Sequence, residues 1–190
     1  MTKEENAIIL DFLASGYPGA RYREPVAQAI GDKFFSFLEL IPKDGVSLKQ
    51  HDRVYIGDGP RDRIKLIKRR LRASELTNVA SGNMEEILVE LIMQNEQKFV
   101  EFLNKSGTVT PRMHQLELLP GIGKRYVDII LRNRPYENFA DFAKKTEISN
   151  LVSIIKKRIL NEVSGEEKYY AFTRPIRIEE HHQGQHGHYY

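Results

Sequence analysis

The chain has 190 residues, 41% hydrophobic and 29% charged, with a net charge of +3 and no cysteine. That length allows one ordinary domain or two small ones with real cores, and the lack of cysteine excludes disulfides and thiolate metal sites. The apolar run in MTKEENAIILDFL is short and broken by Asp11, which suits neither a signal peptide nor a membrane span, so a cytoplasmic protein is expected.

In chain order, residues 6–13 suggest a strand or a short helix, and SGYPGARYREP is a loop. VAQAIGD and KFFSFLELIP read as paired strands joined by a tight turn near Gly31 and Asp32. RVYIG is a short strand and GDGP a turn. RIKLIKRRLRAS is ambiguous: Ile64 and Leu66 alternate as on a strand, while Ile64, Ile67 and Leu71 share a helix face. Short strands spaced by turns predict a small OB-like barrel over residues 1–80. Residues 81–107 form an acidic helical connector, with Ile87, Leu88, Leu91, Ile92, Phe99, Phe102 and Leu103 at helical spacing and Asn83 as a cap.

Residues 108–164 form an expected all-α domain. Thr110 caps a helix with Pro111 at its first position and Met113, Leu116 and Leu119 on one face. Pro120-Gly121 ends it, and a second helix starts at Gly123 and offers Val127, Ile130 and Leu131 to a core. Asn138 caps a third, and Ser149 or Asn150 a fourth. The pattern is two helix-hairpin-helix units in tandem. The fold class is α+β, a barrel followed by helices. Residues 165–178 are a possible return strand, and the polar 179–190 a disordered tail whose histidines stay outside functional reasoning.

Charge is distributed in blocks. Residues 61–72 carry seven basic and one acidic side chain, residues 84–101 one basic and five acidic, and residues 123–158 nine basic and four acidic. Such blocks fit either a polyanion-binding surface or solvated faces balanced by acidic neighbours.

The segment LELLPGIGKRYVDIIL is the sharpest signal. A helix N-terminus exposes unpaired N–H groups and partial positive charge. Gly121 and Gly123 let a phosphate approach them, Ile122 points back into the core, and Lys124 and Arg125 add mobile charge. Contacts of this kind hold a backbone without reading bases. The alternative is a glycine-rich link between structural helices. The second break, TEISN, lacks glycine and carries Glu147, so it reads as structural. Lys144, Lys145, Lys156, Lys157 and Arg158 flank it; each singly reads as solvated, with phosphate contact by some of them as the alternative. On the barrel, Arg61, Arg63, Lys65, Lys68, Arg69 and Arg70 offer a second phosphate surface, with Arg61, Arg63, Lys65 and Arg69 on one side of a strand and Lys68, Arg70 and Arg72 on the other; the alternative is simple solvation or a helix against the acidic connector. Phe34, Phe35, Phe37 and Tyr55 are candidate stacking platforms, of which at least half must be core.

The segments EPVAQAIGDKFFSFLELIPKDGV, DRVYIGDGPRDRIKLIKRRL, NEQKFVEFLNK, TPRMHQLELLPGIGK and GEEKYYAFTRP together resemble an archaeal domain-of-unknown-function family, number six hundred and fifty-five, over about residues 6–176. Members are described as predicted nucleic-acid-binding proteins, and the resemblance implies an OB-like barrel followed by tandem helix-hairpin-helix units. It implies no activity. His51 and His114 are isolated and read as surface or capping residues, and Asp58 and Asp62 as parts of a plain turn. The expectation is a non-catalytic nucleic-acid-binding protein, DNA or RNA, with no cofactor, no metal and no membrane. The alternative is an adaptor that docks on a protein assembly.

Overall fold

The computed structural model of the chain describes residues 3–21 and 23–175. Five strands, β1 (Asn6–Leu13), β2 (Val26–Gly31), β3 (Phe37–Pro42), β4 (Arg53–Tyr55) and β5 (Ile64–Arg70), form one antiparallel sheet in the order β4-β1-β2-β3-β5. The sheet curls into a half-barrel with β4 and β5 at its edges. Alternation along β1 explains how it is buried. Ala7 and Ile9 enter one apolar cluster with Leu38, Leu40, Val54 and Ile64, within the curl. Ile8 and Leu10 enter a second cluster, shared with the helices. Both faces are thus covered, which is why β2 and β3 are buried throughout.

The ambiguous basic segment is strand β5, and its expected two-sided distribution of charge does not hold. Register slips between Glu39 and Leu40, which pair with Arg69 and Ile67 respectively. Lys68 is the extra residue of this bulge, and it and Arg69 both reach Glu39.

The helices are α1 (Asn78–Gln94), α2 (Glu96–Lys105), α3 (Lys124–Arg132), α4 (Phe139–Thr146) and α5 (Leu151–Ser164). Thr77, not Asn83, caps α1: its hydroxyl accepts from the Ala80 amide at 3.0 Å and donates to Asp11 at 2.6 Å. Asn83 lies inside the helix and donates to the Leu10 carbonyl at 3.0 Å, tying α1 to β1. The helix expected from Thr110 is absent. Thr108–Thr110 and Met113–His114 pair as the short strands β6 and β7, with Pro111 in the turn between them. Only a four-residue 3-10 turn, Gln115–Leu118, follows before Pro120. His114 caps it, accepting from the Leu116 amide at 3.1 Å through Nδ1. Asn138 caps α4 as expected, accepting from the Asp141 amide at 2.8 Å. Asn150 is the N-cap residue of α5, without a side-chain cap bond. Leu131, expected in the core, is exposed, because α3 touches the core only through Val127 and Ile130.

One cluster runs from Ile30 and Phe37 in the sheet, and Phe35 in the turn between β2 and β3, through Phe99 to Phe142 and Ile159. Residues 165–175 form no strand. They lie across this cluster instead, with Phe172 packed edge-on to Phe99 at 5.0 Å and to Phe102 at 4.9 Å. Glu162, 1% exposed, holds this segment by accepting from the amides of Ala171, Phe172 and Thr173. The rest of the expected return strand, and the tail to 190, fall outside the described residues. Among the described residues no helix is long and apolar enough to cross a membrane.

Candidate nucleic-acid interface

The loop from Leu119 to Gly123 is built by three conformational choices. Gly121 sits at φ 85°, where a side chain is strained. That turn sends Ile122 back into the core, 5% exposed, with its amide bonded to the Leu119 carbonyl at 3.0 Å. Gly123 then serves as N-cap of α3 in extended backbone, φ −95° and ψ −178°. Its carbonyl accepts from Val127, and no side chain caps the helix. The amides of Gly123, Lys124 and Arg125 have no partner among the described residues, as the first turn of a helix requires unless something caps it. A Cβ added at Gly121 or Gly123 would meet nothing within 4 Å. Open space therefore lies beside both glycines, and Lys124 and Arg125 are exposed next to them and unpaired among the described residues.

The second break stands next to the first. Glu147 takes the left-handed conformation at φ 62°, Ile148 is buried, and α5 begins at Leu151. This repeats the order of Gly121, Ile122 and α3 with one residue more. Both loops line one open cleft of about 440 Å³, with Tyr126 on its rim. Of the flanking cations, Lys145 pairs with Asp141 at 2.9 Å and Lys156 with Glu85 at 2.8 Å. Arg158 is not solvated at all. It is 4% exposed and bonds Glu162 at 2.7 Å, Glu167 at 3.1 Å and the Tyr169 carbonyl.

The barrel cations are more engaged than those of the loop. Glu39, whose side chain is 2% exposed, pairs with Lys68 and Arg69, each at 3.1 Å, and accepts from Tyr17 at 2.9 Å. Arg69 also pairs with Glu75, whose carboxyl is held below its usual range by that bond first and by the Arg72 amide second. Arg63 pairs with Asp52 at 2.6 Å. Arg70 donates to the carbonyls of Arg174 and Pro175. Arg61 donates through Nε to the Gly57 carbonyl at 3.0 Å, and Lys65 is exposed without a partner among the described residues. The structure thus brings Gly121–Arg125 together as one open feature, while the strand cations are largely spent on internal bonds.

A family model described as a protein of unknown function (DUF655) matches residues 3–174. The chain belongs to the DUF655 family. It is similar to the uncharacterised protein MJ0038 of Methanocaldococcus jannaschii, 38% identical over 176 residues, which is 90% of this chain and 80% of that protein. It is also similar in structure to Af1531 of Archaeoglobus fulgidus, whose crystal structure bears the same family label. The two are 39% identical with a TM-score of 0.81, over 90% of this chain and all of that one.

Two parts of this DUF655 protein's surface escape the sequence reading. Tyr126, 42% exposed at the cleft, follows Lys124 and Arg125 directly, and that adjacency was its only signal. Of the aromatic candidates, Phe35 and Phe37 are core. Tyr55 is exposed, but its hydroxyl accepts from the Gly59 amide at 3.1 Å. Phe34 stays partly exposed beside β5, a distinction that nothing in the FFSF spacing supplies.

Proposed function

We propose that this DUF655 protein is a non-catalytic nucleic-acid-binding protein of the cytoplasm that grips phosphate backbone at Gly121–Arg125. The half-barrel, read as OB-like, offers a second surface. The observation that carries the reading is the start of α3. The first-turn amides and the Lys124 and Arg125 side chains have no partner among the described residues, and open space lies beside the two glycines. An anion is what such a helix end attracts. Helix α4, the Glu147–Asn150 turn and α5 fit a helix-hairpin-helix, and the 3-10 turn, loop and α3 a shortened version of the same unit. On the barrel, Lys65 and the terminal nitrogens of Arg61 are the cations left for a strand.

Fluorescence anisotropy with matched single-stranded and duplex DNA and RNA, across a salt series, tests this reading. Affinity falls steeply with salt and drops in Gly123→Val for every sequence. Lys124→Ala lowers the log–log salt slope by about one per lost phosphate contact. Absence of binding to every probe at low salt refutes the reading and leaves the adaptor role.

A further inference from the structure

The half-barrel leaves a slot where it stays open. Between Ile56, just past edge strand β4, and Ile67 and Arg70 on edge strand β5 lies a cavity of about 330 Å³. Leu38, Ile56 and Ile67 give it an apolar floor, and Phe34 stands in its wall. The Arg174 guanidinium lies over the Phe34 ring, 3.9 Å from its centroid, so the wall is already a stack of two flat groups. The two carboxylates of the lining already have partners. Glu4 accepts from the amides of Lys33, Phe34 and Ser36, and Asp58 pairs at 3.0 Å with Lys3, which also lines the slot. Arg70 Nε is buried without a hydrogen-bond partner among the described residues. The terminal nitrogens of Arg61 have no bond among the described residues.

We infer that this slot takes one unstacked nucleobase, with the base against Phe34 and Arg174 and its phosphate at Arg61. The ligand class rests on the nucleic-acid reading above, but the slot is a separate site from the loop at Gly121–Arg125. Its size lies at the low end of the ~300–1,000 Å³ of small-molecule sites, enough for a single nucleotide and too small for a run of them. An apolar floor and a flat cationic wall suit a π-face and an anion together. A duplex keeps its bases stacked and is excluded, whereas a single strand can splay one base out. A free nucleotide presents the same chemistry.

Isoleucine methyl groups report on the two sites independently. Ile56 and Ile67 line the slot, and Ile122 and Ile148 the cleft at the two loops. Methyl spectra of the full chain are recorded with nucleoside monophosphates, a short single strand, the same strand lacking its bases, and a duplex. Ile56 and Ile67 shift with the single strand and stay fixed with the base-free strand and the duplex. Shifts with monophosphates alone keep the slot and name a free nucleotide as its ligand. Phe34→Ala, and Ile67→Trp as a second variant that fills the slot, weaken single-strand binding about tenfold, toward the low end of one base–aromatic stack. Shifts at Ile122 and Ile148 with none at Ile56 or Ile67 in any arm overturn the slot and spare the loop. Slot shifts caused equally by the base-free strand overturn it too. Slot shifts with silent loop methyls sink the loop reading alone.

Discussion

Glu162→Gln removes the charge from the most heavily used buried carboxylate of the fold. One oxygen accepts from Arg158 Nε at 2.7 Å and the Ala171 amide at 2.6 Å, the other from the amides of Phe172 at 3.0 Å and Thr173 at 2.7 Å. All four partners are donors. A glutamine amide must turn its own NH₂ toward two of them, so two bonds become donor–donor contacts whichever way it flips. Arg158, 4% exposed, keeps only Glu167 as a carboxylate partner. Breaking one side of a buried pair costs about 3–5 kcal/mol, a large share of the ~5–15 kcal/mol of a typical domain. For a chain of this size that corresponds to a fall in Tm of roughly 6–20 °C. Urea denaturation followed by circular dichroism measures the loss. Pairing the change with Arg158→Met recovers part of it, since the buried charge that lost one of its two carboxylates is gone. A loss below about 1 kcal/mol refutes the idea that this carboxylate carries the segment.

Gly121→Ala costs about 1–2 kcal/mol because φ is 85° there, whereas Gly123→Ala, at φ −95°, changes thermal stability by less, the entropic gain offsetting the poorer N-cap. Equal Tm values for the two would contradict the loop geometry. Gly31→Ala drives a methyl to within 2.1 Å of the Glu4 carboxyl, which is pinned by three amides, and costs about 2 kcal/mol. In a Glu4→Ala background the same change costs much less, as a double-mutant cycle in urea would reveal. Lys98 is pushed down from 10.5 to about 8, chiefly by burial. Below about pH 8 both states carry its proton and the native state bears the full penalty. Between about pH 8 and 10.5 the unfolded chain holds a proton that the native one has shed, so stability rises with pH. Lys98→Met flattens that rise, and urea midpoints on either side of the window measure it.

Legibility in the sequence followed the range of the interactions involved. The hairpin of β2 and β3, the Asn138 cap, the left-handed Gly121 and the inward Ile122 rest on contacts a few residues apart, and their residue types announce them. His114 as a cap is of the same kind. The helix from Thr110 failed because Pro111 serves a hairpin turn as well as a helix start, and its pattern does not say which. Asn83 failed as a cap because Thr77 lies six residues earlier and has Asp11 to orient it. The solvated reading of Arg158 failed for want of its partners, Glu167 and the Tyr169 carbonyl, which lie beyond the end of α5.

By itself the sequence determined most of the strands and helices, where most turns fall, and that a basic, glycine-lined loop precedes α3. Periodicity and turn chemistry act within a few residues and need no knowledge of the rest. Only the tertiary structure decided which charges are available. Glu39 draws Lys68 and Arg69 inward through a bulge, Arg70 binds carbonyls more than one hundred positions away, and Lys124 and Arg125 stay unpaired among the described residues. It also decided that Phe34 stays at a surface while its neighbour Phe35 is sealed in the core. Ion pairing and burial depend on what the fold brings to within a few ångströms, and distance along the chain does not encode that.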